Sequence, residues 1–332
     1  MATDAPSAAP PDTVDGPAER QPAGAPVTVL YVAGMPRSGS TLLDLMLGQF
    51  VGHCGVGELF YLWRFGMERG DPCICGERAE QCPFWAKVGE QAFGSWSAPE
   101  VAELRGLQRR VDMGPRLPLM VASRLLPTFH RDLTRYRHLL SRLYRAVADV
   151  AGADVVVDAS RRPSLAYALA GAPGIAVRLV HVLRDPRGVA YSLSQPGPPR
   201  AGRAGRGQRR SAQFTARQWI TINTMVAALA RLGTPRVTLR YEDLVREPRT
   251  ELRRVAELTA DVTGRTEPLE FVQGQELTPV VAAHAAKRGQ AHAHDGPIAL
   301  ALDEKWRQEY SPARQRVVAA ITWPLRRAYG YR

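Results

Sequence analysis

At 332 residues, with 45% hydrophobic residues and a formal net charge of +12, the chain is long enough to bury a full core, and its positive balance calls for an anionic partner. No apolar run reaches the length needed to cross a bilayer, and no basic segment followed by an apolar stretch marks a secretory signal, so a cytoplasmic protein is expected. Nucleic acid is disfavoured as the anion, because no basic recognition helix and no interleaved aromatic platform are present.

Residues 1 to 26 are rich in Ala and Pro and lack periodicity, so they predict a disordered tail ahead of one domain over 27 to 332. Val27 to Ala33 is an apolar, β-branched run suited to a strand buried on both faces of a parallel sheet. A glycine-bearing turn follows, and Ser40 and Thr41 then open an amphipathic helix. A second strand or strand-like turn ends near Gly55 to Glu58. From Cys73 to about Asp149 the pattern is helical, with helices expected near 98 to 112 and 128 to 150, and residues 86 to 150 read as a helical insertion over one side of a site. Alternation resumes with a strand at Val155 to Asp158, a helix from Pro163, a strand at Ala176 to Leu183 and a helix after Arg184. Residues 195 to 211 form a basic Gly/Pro/Arg stretch expected to be a mobile loop. Helices are then expected over Trp219 to Leu232, Glu251 to Val262 and Pro312 to Tyr329, the last crossed or bent at Pro324, with an edge or late strand at Arg236 to Arg240. Strands alternating with helices imply a parallel sheet with right-handed crossovers and ligands at the strands' C-terminal ends.

Cys73, Cys75 and Cys82 lie close in sequence, but they do not form paired C-x-x-C and no His lies between them. They read as reduced, half-buried thiols or one local disulfide, and no metal ligand is assigned.

The chemistry concentrates in two strand-to-helix turns. Gly34 to Thr41 nearly matches the phosphate loop G-x-x-x-x-G-K-[ST], except that Ser40 stands where the lysine belongs and the cation has moved to Arg37. Arg184 and Ser192, eight residues apart across the second turn, would make a clamp for a phosphate monoester, although the spacing alone favours an Arg capping a neighbouring helix and a Ser facing solvent. Asp158 fits the carboxylate that holds Mg²⁺ in phosphate-loop enzymes, yet without a lysine at 40 a structural or loop-ordering role is preferred.

Pro36-Arg37-Ser38-Gly39-Ser40-Thr41 resembles the 5′-phosphosulfate loop of sulfotransferases that use 3′-phosphoadenosine-5′-phosphosulfate (PAPS), especially the tyrosylprotein and bacterial branches. Leu183 to Ser192 resembles their 3′-phosphate motif. Asp158 to Arg161, Arg240 to Leu244 and Lys287-Arg288-Gly289 resemble further elements, and Gly57-Glu58-Leu59 with Cys73 to Trp85 resembles the bacterial branch in particular. The resemblance implies a three-layer, P-loop-like α/β fold with a central parallel sheet flanked by helices and a helical lid. It implies PAPS held by Arg37, Ser38, Gly39, Ser40, Thr41, Leu42, Arg184, Ser192, Tyr241, Lys287, Arg288 and Gly289, with adenosine 3′,5′-bisphosphate as product. Glu58 becomes the general base for an acceptor hydroxyl, and Arg37 and Arg161 stabilise developing charge, a scheme that needs no metal. Arg161 departs from the family's usual Lys, so it keeps the charge without being a compact proton donor. His53, His181 and His284 are expected to be structural. The high Ala, Arg, Gly and Pro content suggests a GC-rich bacterial source, the resemblance then implies a small hydroxylated acceptor or natural product, and a homodimer stays open. The alternatives are an ATP-dependent kinase of the same fold class and a basic module that binds RNA or anionic surfaces.

Overall fold

The structure, a computed structural model, describes residues 25–195, 210–279 and 296–332. The expected disordered tail up to residue 24, most of the basic loop, His284 and the Lys287-Arg288-Gly289 patch lie outside the described residues.

A five-stranded parallel sheet forms the middle layer. It is built from β1 (Val27–Gly34), which leads into helix α1 (Ser40–Leu47), and β2 (His53–Gly55) at one edge. A π-helical turn, Leu62–Met67, then leads to the helices α2 (Pro83–Phe93), α3 (Pro99–Val111), α4 (Leu117–Val121) and α5 (Pro127–Ala151). Strand β3 (Val155–Arg161), helix α6 (Pro163–Ala170), strand β4 (Ile175–Leu183), helix α7 (Pro186–Ser194), helix α8 (Ala212–Arg231) and strand β5 (Arg236–Arg240) complete the alternation. The order across the sheet is β2-β3-β1-β4-β5, so β1 is central and the chain switches from one side of it to the other between β3 and β4. A crevice beyond the C-terminal end of β1 follows from that switch.

The period-2 alternation of β1 explains the layers. Val29, Tyr31 and Ala33 face a core shared with α2, α3, α5, α6 and α8, whereas Leu30 and Val32 face the other core with α1. That second core is completed by α9 (Tyr241–Arg246), α10 (Pro248–Ala256) and α11 (Ala260–Thr263). A small antiparallel sheet of β6 (Val272–Gln273), β7 (Glu276–Leu277) and β8 (Ile298–Ala299) borders it, and α12 (Trp306–Glu309) and α13 (Pro312–Ala328) close the chain against α7 and α8.

Three expectations change. β3 runs to Arg161, three residues past Asp158, because β1 continues to pair with it across a bulge. α8 starts at Ala212, seven residues before Trp219, capped by the Ser211 hydroxyl accepting the Phe214 amide at 3.2 Å. The helix expected over Glu251 to Val262 is broken between α10 and α11, where the Thr259 hydroxyl bonds the Ala256 carbonyl at 3.3 Å and turns the chain. Pro324 sits inside α13, which continues through it.

Candidate active site

The loop after β1 is held open by two glycines. Gly34 has φ 155°, and a Cβ there would lie 2.2 Å from the Val182 carbonyl oxygen. Gly39 is left-handed at φ 84°, with a Cβ position 2.5 Å from the Tyr241 ring. Arg37 is also left-handed, at φ 73°, so successive amides curl around one point in the manner of an anion nest. The Ser38 amide bonds the Met35 carbonyl at 3.2 Å, its hydroxyl is buried with no partner, and no side chain caps α1. The first bond into the helix runs from the Leu43 amide to the Gly39 carbonyl at 3.0 Å, so the amides of Ser40, Thr41 and Leu42 end the helix with its positive dipole pole toward the loop.

The bulge in β3 aims a second group at this loop. Tyr31 pairs with Asp158 but Ala33 with Arg161, one residue more on β3 than on β1, and Arg161 takes φ 60°. Its guanidinium reaches the Ser40 hydroxyl at 3.1 Å and the Glu58 carboxylate at 2.6 Å. Glu58 is delivered by the continuation of β2 along β3, where the Val56 amide bonds the Val157 carbonyl at 3.0 Å and the Ala159 amide bonds the Gly57 carbonyl at 2.8 Å. Glu58, Arg161 and Ser40 thus form one chain of contacts from three separate turns.

Behind them lie buried carboxyls. Asp158 is fully buried, accepts the Ser160 amide at 2.7 Å and the Tyr144 hydroxyl, and is pushed up to about 6 by its burial. Both oxygens therefore serve the fold. Asp44, four residues after Ser40 on α1, is pushed up to about 8, first by burial and then by the fields of Asp158 and Glu58. The sequence reading missed it; an acid within an otherwise apolar helix, i+4 from the loop serine, was the available signal.

Arg184 sits on the other flank. Its guanidinium donates to the Arg37 carbonyl at 3.1 Å and to the Asp303 carbonyl and carboxylate, each at 2.9 Å, and stacks over the Tyr241 ring at 4.6 Å. Tyr241 thus touches both turns, since its ring also abuts Gly39. A Cβ at Gly188 would come within 3.3 Å of the Arg184 Nε, and half-buried Ser192, four residues further along α7, shares that helix face. The neighbouring Asp185 caps α7 through the Arg187 amide at 2.8 Å, and its own amide bonds Glu242 at 3.0 Å. Asp303 was not anticipated, and its place in an irregular segment 119 residues beyond Arg184 gave no sequence signal. The structure therefore brings Arg37, Ser38, Gly39, Ser40, Glu58, Arg161, Arg184 and Tyr241 to the C-terminal end of the sheet's strands.

The described histidines 53 and 181 are buried and bonded within the fold. His53 meets the Val51 carbonyl at 3.0 Å and the Thr259 hydroxyl at 3.3 Å, and His181 meets Asn223 at 2.9 Å. Burial lowers both to about 4, so each is neutral near pH 7.

No curated protein matches the chain. Among solved structures it is similar to the sulfotransferase domain of the Synechococcus PCC 7002 olefin synthase, at 19% identity over 95% of this chain and 98% of that one, with a TM-score of 0.47. It is similar to the sulfotransferase domain from the curacin biosynthetic pathway at 17% identity, covering 93% and 98% of the two chains, with a TM-score of 0.46. Sulfotransferase STF9 from Mycobacterium avium follows at 18% identity, 73% and 67% coverage and a TM-score of 0.38. The sequence pattern described as the sulfotransferase family matches residues 30–260. That match runs through both strand-to-helix turns, Glu58, Arg161 and Tyr241, and over this span the chain belongs to the sulfotransferase family, enzymes that transfer a sulfuryl group.

Proposed function

We propose that the chain moves the sulfuryl group of PAPS to a hydroxyl of a small acceptor. The observation that carries this reading is the Arg184 bond to the Arg37 carbonyl, which couples the turn after β4 to the turn after β1. The nest of residues 38 to 42, with Arg37 and Arg161, would hold the 5′-phosphosulfate, and Arg184 and Ser192 would hold the 3′-phosphate. Tyr241 supports both turns, and Lys287, Arg288 and Gly289 complete the grip on the nucleotide. The unpartnered Ser38 hydroxyl and the uncapped α1 fit an anion at that place.

The acceptor oxygen attacks sulfur in line, the bond from sulfur to the 5′-phosphate oxygen breaks, and the acceptor proton passes to Glu58. Arg161 holds Glu58 toward the loop, so base and leaving group are set at a fixed separation before the acceptor arrives. Preorganised amides and arginines stabilise the charge that builds on the leaving phosphate, and in this reading they supply what a metal would otherwise provide.

Calorimetric titration with adenosine 3′,5′-bisphosphate in the presence of a chelator, and separately with ATP and Mg²⁺, tests the donor. Binding of the bisphosphate without metal, weakened at least about tenfold in Arg184→Ala as expected for a lost charge-assisted pair, supports PAPS. Binding of ATP with Mg²⁺ alone overturns it.

A further inference from the structure

The three cysteines that spacing alone gave no common purpose are brought together by the fold. The sulfurs of Cys73, Cys75 and Cys82 all lie within 4.8 Å of one another, and Cys75 and Cys82 are 3.6 Å apart. None of them is in a disulfide.

The backbone around them is a small knuckle. The Cys73 amide bonds the Glu77 carbonyl at 2.7 Å, the Gly76 amide bonds the Cys73 carbonyl at 2.9 Å, and Pro72 bridges to Arg78. Gly76 takes φ 92° at the tip, a conformation that suits glycine. The turn folds Cys75 back beside the other two sulfurs, with its thiol 3.6 Å from that of Cys82. Cys82 arrives from the other side as the residue preceding α2, where the helix dipole favours a thiolate.

We propose that Cys73, Cys75 and Cys82 bind one zinc ion through three thiolates, with a solvent molecule at the fourth position beside exposed Cys75. A tetrahedral zinc about 2.3 Å from each sulfur separates the sulfurs by about 3.8 Å, close to the Cys75–Cys82 spacing. A disulfide would have to draw two sulfurs to about 2.0 Å and strand the third beside them, whereas a soft cation uses all three. Among the described residues no fourth side-chain ligand joins the set. Each thiol gives up its proton on binding, so uptake of the ion releases protons and weakens in acid. The ion would pin the loop between the π-helical turn and α2. Cys73 and Cys82 are buried in the core shared with α5, so the site is a structural clamp on the helical cap and holds no reacting atom.

The test uses the full chain, reduced and stripped with a chelator, then titrated with Zn²⁺ and in parallel with Co²⁺. Binding of about one equivalent of Zn²⁺, a thiolate-to-cobalt charge-transfer band, and a melting temperature raised by several degrees are expected. Cys75→Ser removes an exposed ligand without opening the core, and it should lose the band and most of the bound zinc. Cys54→Ser, outside the cluster, should keep both. Failure of the wild-type chain to take up zinc, equal uptake by Cys75→Ser, or a Cys75–Cys82 disulfide as the resting state of the freshly isolated chain each overturns the proposal.

Discussion

Arg161 is the residue where fold and chemistry are most tightly joined, and replacing it separates two energies. Its guanidinium pairs with Glu58 at 2.6 Å, with the two side chains 16% and 22% exposed, while its backbone holds a left-handed conformation at φ 60°. Breaking a fully buried pair costs about 3–5 kcal/mol and a surface pair at most about 1 kcal/mol, so for these partly exposed groups Arg161→Ala is expected to lose about 2 kcal/mol. The left-handed backbone costs a residue with a Cβ roughly 1 kcal/mol and glycine almost nothing. Arg161→Gly therefore loses the same pair but recovers about 1 kcal/mol, and it should be the more stable of the two variants. Urea unfolding of wild type, Arg161→Ala, Arg161→Gly, Glu58→Gln and the double variant Glu58→Gln/Arg161→Ala measures both terms, with a coupling energy of about 1–2 kcal/mol between positions 58 and 161. Turnover with labelled PAPS should fall by about 10²–10³ in both Arg161 variants, the usual loss for one preorganised donor. An Ala variant as stable as the Gly variant refutes the backbone strain, and unchanged turnover refutes the placement of Arg161 on the reacting group.

Two further outcomes follow from the same geometry. Gly39→Ala adds a Cβ 2.5 Å from the Tyr241 ring at φ 84°, so the loop must shift, and binding of adenosine 3′,5′-bisphosphate measured by calorimetry should weaken at least about tenfold, the equivalent of about 1.4 kcal/mol; wild-type affinity would mean the loop is not the anion site. Asp44 is raised from 3.8 to about 8, so the folded state holds its proton more tightly than the unfolded state does. Its contribution to stability is complete below 3.8 and is lost as pH rises through 8. Asp112 and Asp158 are raised only to about 6, and His53 and His181, lowered from 6.5 to about 4, contribute equally to wild type and variant, so between pH 6 and pH 8 the difference from Asp44→Asn isolates Asp44. Across that window the wild type should lose about 2 kcal/mol more than Asp44→Asn, and parallel pH profiles of unfolding free energy would show that Asp44 is ionised in the fold at pH 6.

The sequence by itself determined whatever depends on neighbours along the chain. The apolar run of Val27 to Ala33, the glycines of the loop, the serine and threonine opening α1 and the repeat of strand, turn and helix around Arg184 are local patterns. They set the parallel sheet, its two strand-to-helix turns and most residues of the candidate site, because hydrophobic period and turn chemistry act over a few residues. Long-range pairing was left to the tertiary structure. The bulge that carries β3 on to Arg161 arises from register against β1, and the salt bridge from Arg161 to Glu58 depends on that bulge. Asp303 meets Arg184 across 119 residues of chain, and Asp44 becomes a protonated acid because the fold first buries it and then sets the fields of Asp158 and Glu58 on it. The three cysteines offered a spacing that fits no familiar ligand pattern, and only the knuckle at Gly76 and the start of α2 turn their sulfurs to one point. A charge or a thiol has no function until its partners are fixed in space, and those partners are chosen by packing rather than by adjacency in sequence.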